Sequence, residues 1–393
     1  METENGTAVI MIPIGDNILS SLGFSTAENY RAVQSGRTGL CFYEAYPGIS
    51  EPIVASCIDR TRLDDCFSAA GGNPLEYTPL ERAALLSVTF AAEQAGIDLA
   101  APEVLFVFSS TKGNIHLLEE GAEARSDSRL YLWHTAGRIA RYFRNANEPV
   151  VVSNACISGA CAQIAAMREL AAGRFTCAVV VGVDLLSRFI LSGFLSLKAL
   201  SPAPCRPFDS ERNGLNLGEA ASTIIYRKVR EEDSPQGVSL VEGAIRNDAN
   251  HISGPSRTGE GCFRALQAVL KDHSPDDLAF ICAHATATAY NDRMETIALT
   301  RAGLHQKPVN GLKGYFGHTL GAAGILESIL TIRALQDGVI LPTFGFTRGD
   351  TDYPLAVTNR MGYTQKTCAL KMLSGFGGCN AALLFRKITR HAS

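Results

Sequence analysis

The chain has 393 residues, 46% of them hydrophobic and 19% charged, with a formal charge of −3. That length predicts a large buried core in one or two tightly joined halves, and the charge excludes a global basic field for nucleic acid. No apolar run reaches membrane-spanning length, and eleven irregularly spaced cysteines without a Cys-x-x-Cys pair argue for reduced thiols rather than a disulfide frame or zinc site. Met1-Glu-Thr-Glu-Asn lacks the positive start and apolar core of a secretory signal, so a cytoplasmic protein is expected.

In chain order, Leu80 to Gly96 carries the spacing of a helix, and Val104-Leu-Phe-Val-Phe-Ser-Ser reads as a buried strand. Pro149-Val-Val-Val-Ser is a second strand. It breaks at Asn154-Ala-Cys-Ile-Ser-Gly-Ala, and an apolar helix follows from Cys161 to Gly173. Alone, Cys156 would read as a buried structural thiol. At a strand-to-helix turn it meets unpaired N–H groups and the positive helix end, which favour thiolate, the nucleophilic form. Ala178-Val-Val-Val-Gly-Val and Ala279-Phe-Ile-Cys-Ala are further strands, and the charged stretch from Arg227 to Gly237 is expected to link two halves, 1–230 and 231–393. Continuous apolar strands alternating with helices predict α/β sheets covered on both faces.

Two histidines follow. His284 precedes Ala-Thr-Ala-Thr, and His318 ends Lys313-Gly-Tyr-Phe-Gly-His; small residues around each admit close approach of a substrate. A cysteine with distant histidines brought together by folding is a recognised nucleophile arrangement. Cys156-Ile-Ser-Gly-Ala-Cys-Ala also echoes His318-Thr-Leu-Gly-Ala-Ala-Gly, and each runs into an apolar helix, the second ending near Gly338. The echo predicts a duplicated strand–turn–helix unit that brings two helix N-termini to one site.

With Gly193-Phe-Leu-Ser-Leu-Lys, Arg206-Pro-Phe-Asp and Gly375-Phe-Gly-Gly-Cys-Asn added, the chain resembles the elongating β-ketoacyl-acyl carrier protein synthases. The resemblance covers nearly the whole chain and is weakest over residues 1–100. It implies a thiolase fold, a five-layered α-β-α-β-α arrangement with related halves, normally a homodimer, and no cofactor beyond the carrier protein's phosphopantetheine. It implies that Cys156 carries the acyl group while His284 and His318 steady the malonyl enolate. Backbone N–H groups of Cys156 and Phe376 would hold the acyl oxyanion, with Phe376 also a gate. Lys313 would keep His318 neutral, Glu295 would be the buried acid paired with Lys313, and Thr286 and Thr288 would bind the pantetheine amides. Ala285 and Ala287 stand where the family usually has glycine, and an added methyl at each is expected either to narrow the arm channel or to shift its backbone. The blocks around Cys156 and Phe108 resemble synthases of aryl-polyene or flexirubin-type pathways. A non-catalytic partner resembling a chain-length factor is the alternative, and a heterodimer with such a partner is compatible with an active Cys156.

Overall fold

The computed structural model describes residues 9–121, 123–230, 236–350 and 354–388. Ten strands form its two main sheets: β1 (Val9–Ser20), β2 (Val104–Ser109), β3 (Val150–Val152), β4 (Cys177–Asp184), β5 (Ala220–Arg230), β6 (Gly237–Asn247), β7 (Leu278–Cys282), β8 (Val309–Asn310), β9 (Cys368–Gly375) and β10 (Cys379–Ile388). The first sheet has the order β1-β5-β4-β2-β3 and the second β6-β10-β9-β7-β8. Adding five to each strand number of the first sheet generates the second. Their pairings match too: β2 is parallel to β3 and β4, as β7 is to β8 and β9, while β4-β5-β1 and β9-β10-β6 are antiparallel. The internal repeat is therefore visible in topology.

Helix α1 (Pro79–Ala95) forms where the sequence placed it. Thr78 and Glu81 make a reciprocal capping box, Pro79 enters at the first turn, and Gly96 ends the helix in the left-handed region at φ 59°. It covers the outer face of the first sheet. Helices α2 (Ser158–Ala171) and α6 (Ala323–Asp337) lie between the two sheets, and α4 (Glu260–Leu270) covers the outer face of the second, beside α5 (Ala289–Arg301). Helix α3 (Arg188–Ser196) stands near the site described below. The result is the five-layered α-β-α-β-α thiolase arrangement. The stretch from Arg227 is strand rather than linker as far as Arg230, which pairs with Val9; residues 231–235 lie outside the described residues.

The two middle helices cross with almost no side chain between them. A Cβ on Gly159 would sit 2.9 Å from the Ile325 amide nitrogen, and one on Gly324 would sit 2.5 Å from that of Ala160. Gln163 bridges the crossing, its amide donating to the carbonyls of Gly159 and Gly324 and to Ser328, while Tyr226 donates to its oxygen. The small-residue echo in the sequence has this physical basis. Gly159→Val is expected to cost about 2 kcal/mol or more, as overpacking of a close-packed core does, read as a fall in Tm. Gly193→Ala, with open space around the added methyl, should leave Tm nearly unchanged. Equal Tm values for the two variants would contradict the tight crossing.

Candidate active site

Each central helix is preceded by a turn that presents one reactive side chain. Between β3 and α2 the chain bends through Ala155, held at φ 45°, a conformation that costs a residue with a Cβ about 1 kcal/mol or more. Ser158 fixes the bend by accepting from the Asn154 amide and donating to the Ala155 carbonyl. Cys156 follows and is buried. Between β8 and α6, His318 is clamped by backbone: its N–H donates to Asn216 and its carbonyl accepts from Gly218. A Cβ on Gly218 would fall 1.9 Å from the Phe316 carbonyl, so only glycine admits this approach. On the neighbouring side Asp184 accepts from the Gly321 amide, Ser110 and Thr111, fixing the start of the same turn. His284 extends from the end of β7.

The turns bring donor atoms of Cys156, His284 and His318 within 4.8 Å of one another, and the two imidazoles meet edge to face with ring centroids 5.1 Å apart. Both rings are buried. The Leu320 amide donates to Nδ1 of His318, so the neutral ring carries its proton on Nε2, which has no protein partner. Burial, and next the Lys313 ammonium, push both histidines well below the usual imidazole range. The three side chains have the spacing of a metal-binding set. Two buried ammonium groups beside them, Lys313 and Lys371, oppose a cation, and the set reads instead as one thiol facing two neutral imidazoles.

Lys313 is fully buried and donates to the His284 carbonyl at 2.5 Å and to Glu327 at 2.8 Å. This corrects the expected pairing with Glu295. Glu295 projects from α5 beneath the turn after His284, where it accepts from the amides of His284 and Ala285 and from Asn291. It shapes the backbone that carries His284, and burial followed by the charge of Asp292 pushes its carboxyl up to about 7.

The expected thiolate is also corrected. Burial pushes the Cys156 thiol up to about 12, and neighbouring Cys379 adds to the rise; Lys313 and the N–H groups of Phe376 and Cys156 itself pull the other way without overcoming it. Those two N–H groups therefore lie against the sulfur. Cys379 turns its own thiol to the carbonyls of Phe376 and Asn154.

The site opens into a cavity of about 480 Å³, whose walls include Phe194, Thr286, Thr288, Tyr290, Ser374 and Phe376. Phe376 is 38% exposed and stacks on Phe194 of α3 at 5.8 Å, so it is a mouth residue rather than a core aromatic. The Thr286 and Thr288 hydroxyls are 2.9 Å apart. Ala285 and Ala287 take φ values of 52° and 62°, in the left-handed region that favours glycine, but both are fully buried in apolar clusters and neither lines the cavity. Their methyls do not narrow the channel.

Models of a beta-ketoacyl synthase N-terminal domain and a beta-ketoacyl synthase C-terminal domain match residues 55–231 and 238–347. The chain belongs to the beta-ketoacyl synthase family. Members of this family are acyltransferases. The chain is 33% identical to Nodulation protein E of Rhizobium leguminosarum bv. trifolii over 64% of its own length and 65% of that protein, a little under two thirds of the relative. A putative mitochondrial 3-oxoacyl-[acyl-carrier-protein] synthase of Schizosaccharomyces pombe is 27% identical over 95% of this chain and 98% of its own. Among solved structures, the ishigamide ketosynthase/chain length factor superposes with a TM-score of 0.86 at 24% identity, covering 97% of this chain and 99% of that one. A beta-ketoacyl synthase from Burkholderia phymatum gives 0.84, also at 24% identity, covering 97% and 100%. Both share the fold.

Sequence reasoning missed Glu327 and Lys371. Each was detectable as a lone charge in an apolar run, Ile325-Leu-Glu and Ala369-Leu-Lys-Met-Leu, because an unpaired buried charge is too costly to keep. Because the thiol is pushed upward, alkylation of Cys156 by iodoacetamide is expected to keep rising by about tenfold per pH unit between about pH 7 and pH 9. A rate plateau below about pH 8 would contradict the buried, neutral thiol.

Proposed function

We propose that the chain is an elongating 3-oxoacyl-[acyl carrier protein] synthase, joining a Cys156-bound acyl group to malonyl-carrier with loss of carbon dioxide. The observation that carries this reading is the convergence of Cys156, His284 and His318 in one buried site, with two backbone N–H groups against the sulfur. In the first step Sγ of Cys156 attacks the acyl thioester carbonyl. The new S–C bond forms, the bond to the pantetheine sulfur breaks, and the thiol proton leaves with that sulfur. Amides of Cys156 and Phe376 hold the oxyanion, each donor being worth about a hundredfold in rate.

In the second step the malonyl carboxylate departs as carbon dioxide and its electron pair forms an enolate. His318, fixed as an Nε2–H donor by the Leu320 amide, holds the enolate oxygen together with His284. The enolate carbon then attacks the acyl carbonyl, the C–C bond forms, and the Cys156 sulfur leaves and takes up a proton from solvent, the one proton that decarboxylation of the malonyl carboxylate consumes. Thr286 and Thr288 line the approach of the arm, and Phe376 closes over it. No resident metal or cofactor takes part. The partners are an acyl carrier protein and a second subunit, a copy of this chain or a chain-length-factor-like protein. The half-buried edge strand β3 supports such an assembly, since an open edge invites pairing. A cytoplasmic site of action follows from the need to keep Cys156 reduced, and a polyene-type pathway is the substrate reading. A non-catalytic partner role is disfavoured because the nucleophile and both histidines are present.

The test is to mix the protein with acyl-carriers and malonyl-carrier and to weigh the products. A product two carbons longer, bearing a 3-oxo group, is expected. Cys156→Ala should abolish it and Cys161→Ala should not. His318→Ala should lower carbon dioxide release by about a hundredfold or more, whereas Cys156→Gln should retain it, since a side-chain amide imitates the acylated sulfur. Condensation by Cys156→Ala, or normal carbon dioxide release by His318→Ala, would overturn the mechanism. Preference for long saturated over polyunsaturated acyl chains would reject the polyene reading alone.

A further inference from the structure

Lys371 lies on β9, four residues before Gly375, with its side chain fully buried. Nothing in the reaction so far uses it. Its Nζ donates to the carbonyl of Ala283 at 2.9 Å and to that of Cys282 at 3.3 Å, and it lies 2.5 Å from Oε2 of Glu327. Lys313 donates to the next carbonyl, that of His284, and to the other oxygen of Glu327. Two ammonium groups thus hold three successive carbonyls, Cys282, Ala283 and His284, at the strand end that presents His284. One carboxylate, on the helix that follows His318, receives both lysines.

We propose that Lys371 is a positioning residue for the condensation: through Glu327 it ties the strand end of His284 to the helix of His318, and its buried charge keeps both imidazoles neutral, as N–H hydrogen-bond donors, rather than imidazolium. This rests on the synthase reading for its chemistry, though not for its geometry. The lysines and Glu327 leave one uncompensated positive charge beside the rings. Burial works against the Lys371 charge, yet the Cys282 and Glu327 groups hold the ammonium above its usual range. Glu295, on α5, also acts on Lys371, but burial pushes its carboxyl up to about 7, so it is largely protonated over the acid range in which the rings titrate and does not cancel the charge there. Asp184 directs its oxygens to Ser110, Thr111, Lys112 and Gly321, and the thiols of Cys156 and Cys282 are pushed upward by burial. A positive charge near an imidazole disfavours imidazolium. A protonated ring would still donate, but it would also draw the malonyl carboxylate into an ion pair that must break as carbon dioxide leaves.

The test uses two variants of the full chain. Lys371→Gln keeps a donor for the Cys282 and Ala283 carbonyls without the charge; Lys371→Met removes both. Ring carbons of isotope-labelled histidines are followed by NMR against pH, beside the pH profile of malonyl-carrier decarboxylation. In the unmodified protein both buried rings should titrate well below the usual imidazole range. In each variant their titration should move upward by about one pH unit. The acid limb of kcat should move with it while KM for malonyl-carrier stays unchanged. Variant curves that overlay those of the unmodified protein would overturn the proposal. A buried ring that titrates near its ordinary value in the unmodified protein would overturn it too, and that measurement stands even where Lys371→Met does not fold. If the unmodified protein releases no carbon dioxide from malonyl-carrier, the synthase reading fails, and the ring titrations still decide the role of Lys371.

Discussion

Backbone lies against backbone where the two middle helices cross, and the site exists because of that contact. Gly159 and Gly324 admit each other's helix at a distance that no side chain would allow. The turns at the helix starts are thereby forced together. One carries Cys156 and the other His318, related by the repeat of strand order between the two sheets. A single larger residue at the crossing would separate the thiol from the imidazoles without touching either. The two layers above and the two below the crossing serve the same end, for buried helices can meet this closely only when sheets cover both sides.

Around this contact the protein has placed charges that an apolar core would ordinarily reject. Moving an ion into a poorly polarisable interior costs several kcal/mol after relaxation, unless partners and hydrogen bonds offset it. Here they do. Lys313, Lys371 and Glu327 satisfy one another and three carbonyls. Glu295 satisfies two amides in a turn whose alanines sit at positive φ, and Asp184 receives five donors from four residues. These groups fix the backbone that carries the reacting side chains, and they set the electrical environment the imidazoles meet. A thiol and two rings kept uncharged in a buried site suit a reaction whose negative charge appears only in passing, since fixed dipoles act strongly there without reorganising.

Much of this was legible in the sequence. Continuous apolar runs placed four of the ten main-sheet strands, β2, β3, β4 and β7, to within a residue or two, and the Cys156 and His318 echo exposed the repeat before any strand order was known. The failures have physical causes. Arg227 to Arg230 looked like a linker because charge density suggests solvent, yet the segment pairs with β1 at the sheet's rim, where long charged side chains reach water. Glu295 lies near His284 in sequence but beneath the backbone in space, so spacing alone could not separate it from Glu327 as the partner of Lys313. Helix-end electrostatics argued for a thiolate, and burial outweighed it. Alanines at 285 and 287 read as obstructions because the direction of a methyl depends on φ, which composition does not reveal.

The central claim is that one sulfur, set by the helix crossing, accepts the growing chain. Intact-mass analysis after mixing with acyl-loaded carrier, followed by peptide mapping, addresses it without any assumption about substrate length. A single acyl adduct on the peptide containing Cys156, with the other ten cysteines unmodified, is the result the account predicts. An adduct on a different cysteine, or none with any acyl donor that the carrier can present, would contradict it.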